Sequence, residues 1–332
     1  MEKIAVIGSG SWGTGVCHLL GGKGYQVALW SFDKDTPAAI NETHRNPLYL
    51  TDVELPNTWC STSFEEVVSG AAAIVVVCPS AFVRTTVQGF APFVGSDTPV
   101  VVLSKGIEAK TGMSMVEVIA DVLGNPSRIA ALSGPNHAEE VSHDMIAATV
   151  VASESEETTL FFQELFHTSY FRVYTTSDVR GVELCAAAKN IIAIANGMVC
   201  AMGLGDDASA ALMTRGLAEM SRLVDAIGGD PRTVVGLAGV GDLIVTCTSR
   251  HSRNRALGEC LVAGGTLEEY QARTHMVAEG AVACVTVTDV ARTLGVELPI
   301  AEAVRSILAG ELDPRECIPR LLDRPLRPEL DE

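Results

Sequence analysis

The opening of the chain constrains its fold most. Lys3-Ile4-Ala5-Val6-Ile7 is an apolar, strand-length run that passes directly into Gly8-Ser9-Gly10-Ser11-Trp12-Gly13. A helix-like stretch then reaches Leu20, and Gln26-Val27-Ala28-Leu29-Trp30 reads as a second strand. Strand, G-x-G-x-x-G, helix and strand in this order form the context in which the glycine pattern marks a dinucleotide site. Gly8 permits a tight turn, Gly10 lets the backbone approach a pyrophosphate, and Gly13 lets the helix pack closely. The helix N-terminus stabilises the anion. The competing reading is a glycine-rich turn that binds nothing. After the second strand, Asp33 stands about where a carboxylate takes ribose hydroxyls, but Lys34 follows it, so the signal for NAD against NADP is split.

Further runs continue the pattern. Residues 72–78 and 100–103 are continuous apolar stretches, as expected of parallel strands buried on both faces. More strands are expected near residues 129–132, 145–152 and 170–174. Ligands in such sheets bind outside the carboxyl ends of the strands. That places Lys105, after 100–103, and the turn Gly134-Pro135-Asn136-His137-Ala138 at a crevice, with a surface lysine as the alternative for Lys105. His137 has no visible partner and reads as packing or rim. Residues 41–56 form a polar, proline-containing loop, Asn46-Pro47-Leu48-Tyr49-Leu50 among them, too long for a minimal connection.

Beyond Ser177 helical periodicity takes over. The expected fold is α/β, with a Rossmann-type dinucleotide-binding domain over residues 1–180 and an all-α domain over 181–332. The second part opens on Glu183–Gly197, rich in helix formers, free of proline, and ending in a glycine at an expected C-cap. Lys189 is its single basic residue, with small Cys185, Ala186 and Ala193 a turn away. Such a lysine is either exposed or faces a cavity, where desolvation lowers its pKa and suits it to proton transfer. Asp242 follows Gly236–Gly241 and is either a positioned carboxylate or a helix N-cap. Ser249-Arg250-His251-Ser252-Arg253-Asn254-Arg255 gathers three arginines, either as a phosphate clamp or as a solvated basic face.

Composition narrows the classes. A net charge of −17 argues against a nucleic-acid surface and requires any anion site to concentrate its few cations locally. No apolar run approaches a membrane span, and the strand at residue 3 leaves no room for a signal peptide. Nine scattered cysteines, none spaced C-x-x-C, argue for reduced thiols in a cytoplasm, and no metal-ligand pattern is present. No membrane insertion and no metal are therefore expected.

The pieces together resemble bacterial-type NAD(P)-dependent glycerol-3-phosphate dehydrogenase. The resemblance rests on Gly8-Ser9-Gly10-Ser11-Trp12-Gly13-Thr14, Ser104-Lys105-Gly106-Ile107-Glu108, Ser133-Gly134-Pro135 and Ala188-Lys189-Asn190. Thr214–Met220, Gly239–Leu243, Ser252-Arg253-Asn254 and the ending Arg324-Pro325-Leu326-Arg327 complete it. It implies reversible reduction of dihydroxyacetone phosphate to sn-glycerol 3-phosphate, supplying the glycerol phosphate backbone of phospholipids. By resemblance Lys189 is the proton donor and acceptor, with Lys105 and Asp242 also catalytic. Gly134, Asn136, Asn190, Ser252, Arg253 and Asn254 join them in holding the phosphorylated substrate. Gly8, Gly10, Ser11, Trp12, Gly13, Asp33, Lys105, Ala138, Arg253, Val277 and Glu279 are the implied cofactor residues. Three departures stand out: Phe32 for a commoner arginine or histidine, Asn136-His137 for a hydroxyl-plus-phenylalanine pair, and Asp207 for an asparagine. The alternatives are another two-domain β-hydroxyacid dehydrogenase and a non-catalytic dinucleotide sensor. Oligomeric state is left open, a homodimer being one option.

Overall fold

The computed structural model describes residues 2–274, 278–317 and 328–329. Its first part is one eight-stranded sheet of β1 (Lys3–Ile7), β2 (Gln26–Trp30), β3 (Thr58–Ser61), β4 (Ala73–Val76), β5 (Val100–Val102), β6 (Ile129–Ser133), β7 (Ala147–Ala152) and β8 (Phe171–Thr176). The order is β3-β2-β1-β4-β5-β6-β7-β8. Every pairing is parallel except β6 with β7. β1, β2, β4, β5 and β6 carry almost unbroken buried apolar residues because helices cover both faces, whereas β3 alternates buried and half-buried residues. The order reverses at β1, where the chain leaves toward β2 on one side and returns as β4 on the other. That switch point opens a crevice beside the glycine turn.

Two residues beyond β8, the chain enters the helix Val179–Ala201, around which the rest is built. Asp178 caps it, accepting the Gly181 N–H at 3.0 Å. Helices Asp206–Ala226, Asp242–Thr248, Arg253–Val262 and Glu279–Leu294 pack around it. By length and hydropathy it could cross a membrane, but it is almost wholly buried inside the protein, with neighbouring helices covering its apolar surface.

The central helix continues past Gly197, so that glycine is not the C-cap expected from sequence. A Cβ there would stand 2.1 Å from the Arg255 carbonyl oxygen, and one on Gly258 would stand 2.0 Å from that of Ile194. These glycines let two helix backbones touch. Side-chain volume at the crossing, not helix termination, selects the residue.

Candidate active site

The glycine turn follows β1 directly. Gly8 has a φ of +126°, which a side chain would strain. A Cβ on Gly13 would lie 1.9 Å from the Gly8 carbonyl oxygen, so the helix Ser11–Gly22 can start this close only with glycine there. Gly10 differs, because a Cβ would meet nothing within 4 Å. The protein itself does not need glycine at that position; the open space fits a dinucleotide pyrophosphate against the helix N-terminus. Ser11 and Trp12 form the first turn of that helix, and Trp12 packs against Phe171.

At the end of β2, Asp33 does something the ribose reading did not anticipate. Its Oδ1 accepts from the Asp35 N–H (2.9 Å), the Thr36 N–H (2.8 Å) and the Thr36 hydroxyl (2.9 Å). These bonds hold its carboxyl below the usual range and fix the start of the helix Thr36–Thr43. Phe32 stands 88% exposed, edge-on to Trp30.

The chemical centre assembles at the carboxyl end of β5 and β6. Lys189 is 3% exposed, which removes the solvent-facing alternative. Its ammonium donates to Asp242 Oδ1 at 2.5 Å and to the Thr246 hydroxyl at 2.7 Å. Lys105 reaches the other carboxylate oxygen, Oδ2, at 2.8 Å. The Ser133 hydroxyl lies 3.4 Å from Oδ2. Asp242 is the first residue of its helix and Gly241 is the N-cap, so the side chain is not a cap. A wide π-helical turn, Leu237–Gly241, delivers it into the site.

One buried carboxylate thus bridges two ammonium groups. Burial opposes the charge on Asp242, but Lys105 and Lys189 outweigh it and hold its carboxyl below the ordinary value. Burial, helped by the like charge of Lys105 and opposed by the pull of Asp242, lowers Lys189 to about 8. A lysine of that acidity can give or take a proton near neutral pH. His137 sits at the rim with its pKa lowered by burial and then by the two lysines, and its Nε2 is enclosed without a partner.

The other expected residues distribute unevenly. Gly134 follows β6, and Ala138 is the buried first residue of the short helix Ala138–Val141. The Asn136 amide turns into the sheet and donates to the Thr149 hydroxyl at 3.0 Å. The Asn190 amide donates to the Ala186 carbonyl, and its oxygen accepts from Asn254 at 2.9 Å. Asn254 in turn accepts the Gly280 N–H at 3.0 Å, locking the central helix to two neighbours. Ser252 is an N-cap, accepting the Arg255 N–H at 3.2 Å. The three-arginine cluster reduces to one candidate. Arg255 pairs with Glu259 at 3.0 Å, and Arg250 is exposed beside His251. Arg253 is exposed at the helix N-terminus, and its guanidinium makes no hydrogen bond among the described residues. Glu279 is partly buried, its pKa raised by burial and opposed by Arg253, Lys105 and Lys189. Asp207 is exposed in the first turn of Asp206–Ala226. Val277 and Arg324–Arg327 lie outside the described residues. Thr246 is the residue that sequence reasoning missed, although its i+4 spacing from Asp242 puts both on one helix face.

A dinucleotide-type glycine turn together with a lysine–aspartate–lysine cluster whose Asp242 and Lys189 are buried defines a nicotinamide-dependent dehydrogenase of the sheet-plus-helices class. The comparisons narrow this. Residues 3–159 match the family model described as NAD-dependent glycerol-3-phosphate dehydrogenase N-terminus, and residues 178–319 match its C-terminus. Glycerol-3-phosphate dehydrogenase [NAD(P)+] of Chlorobium limicola is 46% identical over 98% of this chain and 99% of its own length. The Thermobifida fusca protein of that name is 44% identical over 99% of both. The crystal structure of glycerol-3-phosphate dehydrogenase from Coxiella burnetii superposes with a TM-score of 0.93 at 36% identity, covering 97% of this chain and 99% of that one. The chain belongs to the NAD-dependent glycerol-3-phosphate dehydrogenase family.

Proposed function

We propose that this chain catalyses the reversible reduction of dihydroxyacetone phosphate to sn-glycerol 3-phosphate with NADH or NADPH. The carrying observation is the buried Asp242 carboxylate bridging buried Lys189 and partly exposed Lys105, with Lys189 lowered to about 8. When bound, the nicotinamide supplies or accepts the hydride at the carbonyl carbon. Lys189 gives a proton to the carbonyl oxygen in reduction and takes one from the hydroxyl in oxidation. Asp242 holds Lys189 and Lys105 in place, and Lys105 keeps a positive charge beside the oxygen as negative charge develops there. The free guanidinium of Arg253, with Ser252 and Asn254 beside it at a helix N-terminus, suits the substrate phosphate. The Gly134–Asn136 turn and Asn190 flank the ketone. Ser11, Trp12, Ala138, Val277 and Glu279 complete the cofactor side.

In this reading residues 1–180 supply most of the cofactor site and Lys105, and residues 181–332 supply Lys189, Asp242 and the phosphate site. The product supplies phospholipid synthesis in the cytoplasm. The test follows NADH and NADPH oxidation side by side with dihydroxyacetone phosphate. Turnover with either is expected, and it should depend on Arg253. Failure with both cofactors, despite demonstrated binding, would refute the reading. Activity on a non-phosphorylated hydroxyacid that survives Arg253→Ala would favour a different hydroxyacid dehydrogenase.

A further inference from the structure

The loop between Thr43 and β3 reaches into the glycine turn through one side chain. Asn46 is 1% exposed although its neighbours Arg45, Pro47 and Leu48 are exposed. Its Nδ2 donates to the Ser9 carbonyl at 2.9 Å and to the Thr14 hydroxyl at 2.8 Å. Its Oδ1 accepts from the Leu48 N–H at 2.9 Å and the Tyr49 N–H at 3.2 Å. The amide therefore faces two ways, its donors on the glycine turn and its acceptor on its own loop. Thr14 is fully buried and extends the chain of bonds, its hydroxyl donating to the Gly10 carbonyl at 2.9 Å. The loop has its own base: Val53 and Leu55 are buried in the core, and the Leu55 N–H bonds the His44 carbonyl at 2.8 Å. Asn46 is thus not needed to keep the loop attached to the fold.

Peptide geometry gives this contact a consequence. The Ser9 carbonyl and the Gly10 N–H belong to one planar trans peptide unit and point in opposite directions. Holding the carbonyl toward Asn46 aims the Gly10 N–H away from it. The bond from Thr14 to the Gly10 carbonyl fixes the next peptide in the same way. Two consecutive peptides at the position with open space around it are thereby oriented from outside the turn.

We infer that Asn46 is a positioning residue for the cofactor, fixing the peptides of the glycine turn in their anion-binding orientation through Ser9 and Thr14. This rests on the dinucleotide reading of the turn. The test is fluorescence titration of the full-length protein with NADH. Asn46→Asp keeps the acceptor oxygen that serves Leu48 and Tyr49 but removes both donors to the turn, so the loop retains its local bonds. The expected result is an NADH dissociation constant raised about tenfold or more, with KM for dihydroxyacetone phosphate and kcat at saturating NADH within about twofold of wild type. The uncharged Thr14→Val weakens NADH about threefold alone and adds little in the Asn46→Asp background, because both break one chain of bonds. Asn46→Ala, if Asn46→Asp does not fold, gives the same direction. Unchanged NADH affinity in the folded variant, or full additivity with Thr14→Val, would overturn the proposal while leaving the cofactor reading intact. Wild-type protein that bound neither NADH nor NADPH would overturn both.

Discussion

The glycine turn and the lysine–aspartate cluster are built in opposite ways. The turn lies within residues 8–13, and its glycines answer to local demands, a positive φ at Gly8 and a backbone approach at Gly13 that admits no side chain, even though Asn46 bonds the turn from outside. The cluster joins Lys105 to Asp242 across 137 positions and Lys189 to Asp242 across 53. No local rule brings those three together; sheet and helices must pack first. In the proposed function the turn acts through backbone N–H groups, whose character a mutation can alter only by blocking or bending them. The cluster works through ionisable heads whose strength depends on burial. A lesion in the first is therefore expected to act on cofactor affinity, and a lesion in the second on the chemical step.

The largest test of that division is Lys189→Met, which keeps apolar bulk but removes the proton donor. A fall in kcat of about 1,000-fold is expected, with NADH affinity within about threefold. A rate near wild type would remove Lys189 from the chemistry. Next comes a paired substitution in the turn. Gly10→Ala meets no atom of the protein and should leave the melting temperature almost unchanged, while weakening NADH by at least about tenfold, or about 1.4 kcal/mol. Gly13→Ala runs into the Gly8 carbonyl and should cost about 2–3 kcal/mol of stability. Equal melting temperatures for the two variants would contradict the separate roles of these glycines.

The pH dependence sharpens the comparison further. Reduction requires protonated Lys189, so its kcat/KM should be level below pH 8 and decline about tenfold per unit above it. Oxidation should show the reverse, rising toward pH 8 and then levelling, while NADH affinity stays nearly constant through the window. A reduction rate that stays flat to pH 10 would mean that Lys189 keeps an ordinary acidity.

The smallest effect concerns Glu183, two turns before Lys189 on the central helix. Its Oε1 accepts the Val116 N–H at 3.0 Å, at the start of the helix Met115–Leu123, and its buried Oε2 has no hydrogen-bond partner among the described residues. Burial raises its carboxyl to about 7, against hydrogen bonds from Ser114 and Val116. The folded value lies above the unfolded one, so this contribution to stability is complete below about pH 4.5 and is lost as pH rises through 7. Glu183→Gln should therefore gain about 1 kcal/mol over wild type at pH 8 and little at pH 5. A gain of equal size at both pH values would mean that ionisation plays no part.

Legibility tracked the same contrast. The glycine turn, the long apolar helix and every strand but β3 were readable because each announces itself over neighbouring residues; β3 is short and mixes polar with apolar side chains. The end of that helix was not, since Gly197 answers to a helix that arrives 58 residues later in the chain (Arg255 minus Gly197). Lys105, Asp242 and Lys189 were each visible as candidates with a bland alternative beside them. Three arginines within six residues looked alike, and only packing left the Arg253 guanidinium without a hydrogen-bond partner among the described residues while Arg255 found Glu259. Asn136, Asn190 and Asn254 carry a substrate role by resemblance, and only the fold shows the hydrogen bonds that each also makes within the protein. Thr246 gave no signal, because a threonine in a helix becomes notable only once a lysine from another helix points at it.

By itself the sequence determined the alternation of strand and helix, the switch to an all-helical second part and the place of the glycine turn. Periodicity and glycine sterics act within a few residues. The tertiary structure alone decided which charges meet, how deeply they are buried and which polar groups remain free. Electrostatic strength and hydrogen-bond satisfaction depend on neighbours that only packing brings within reach.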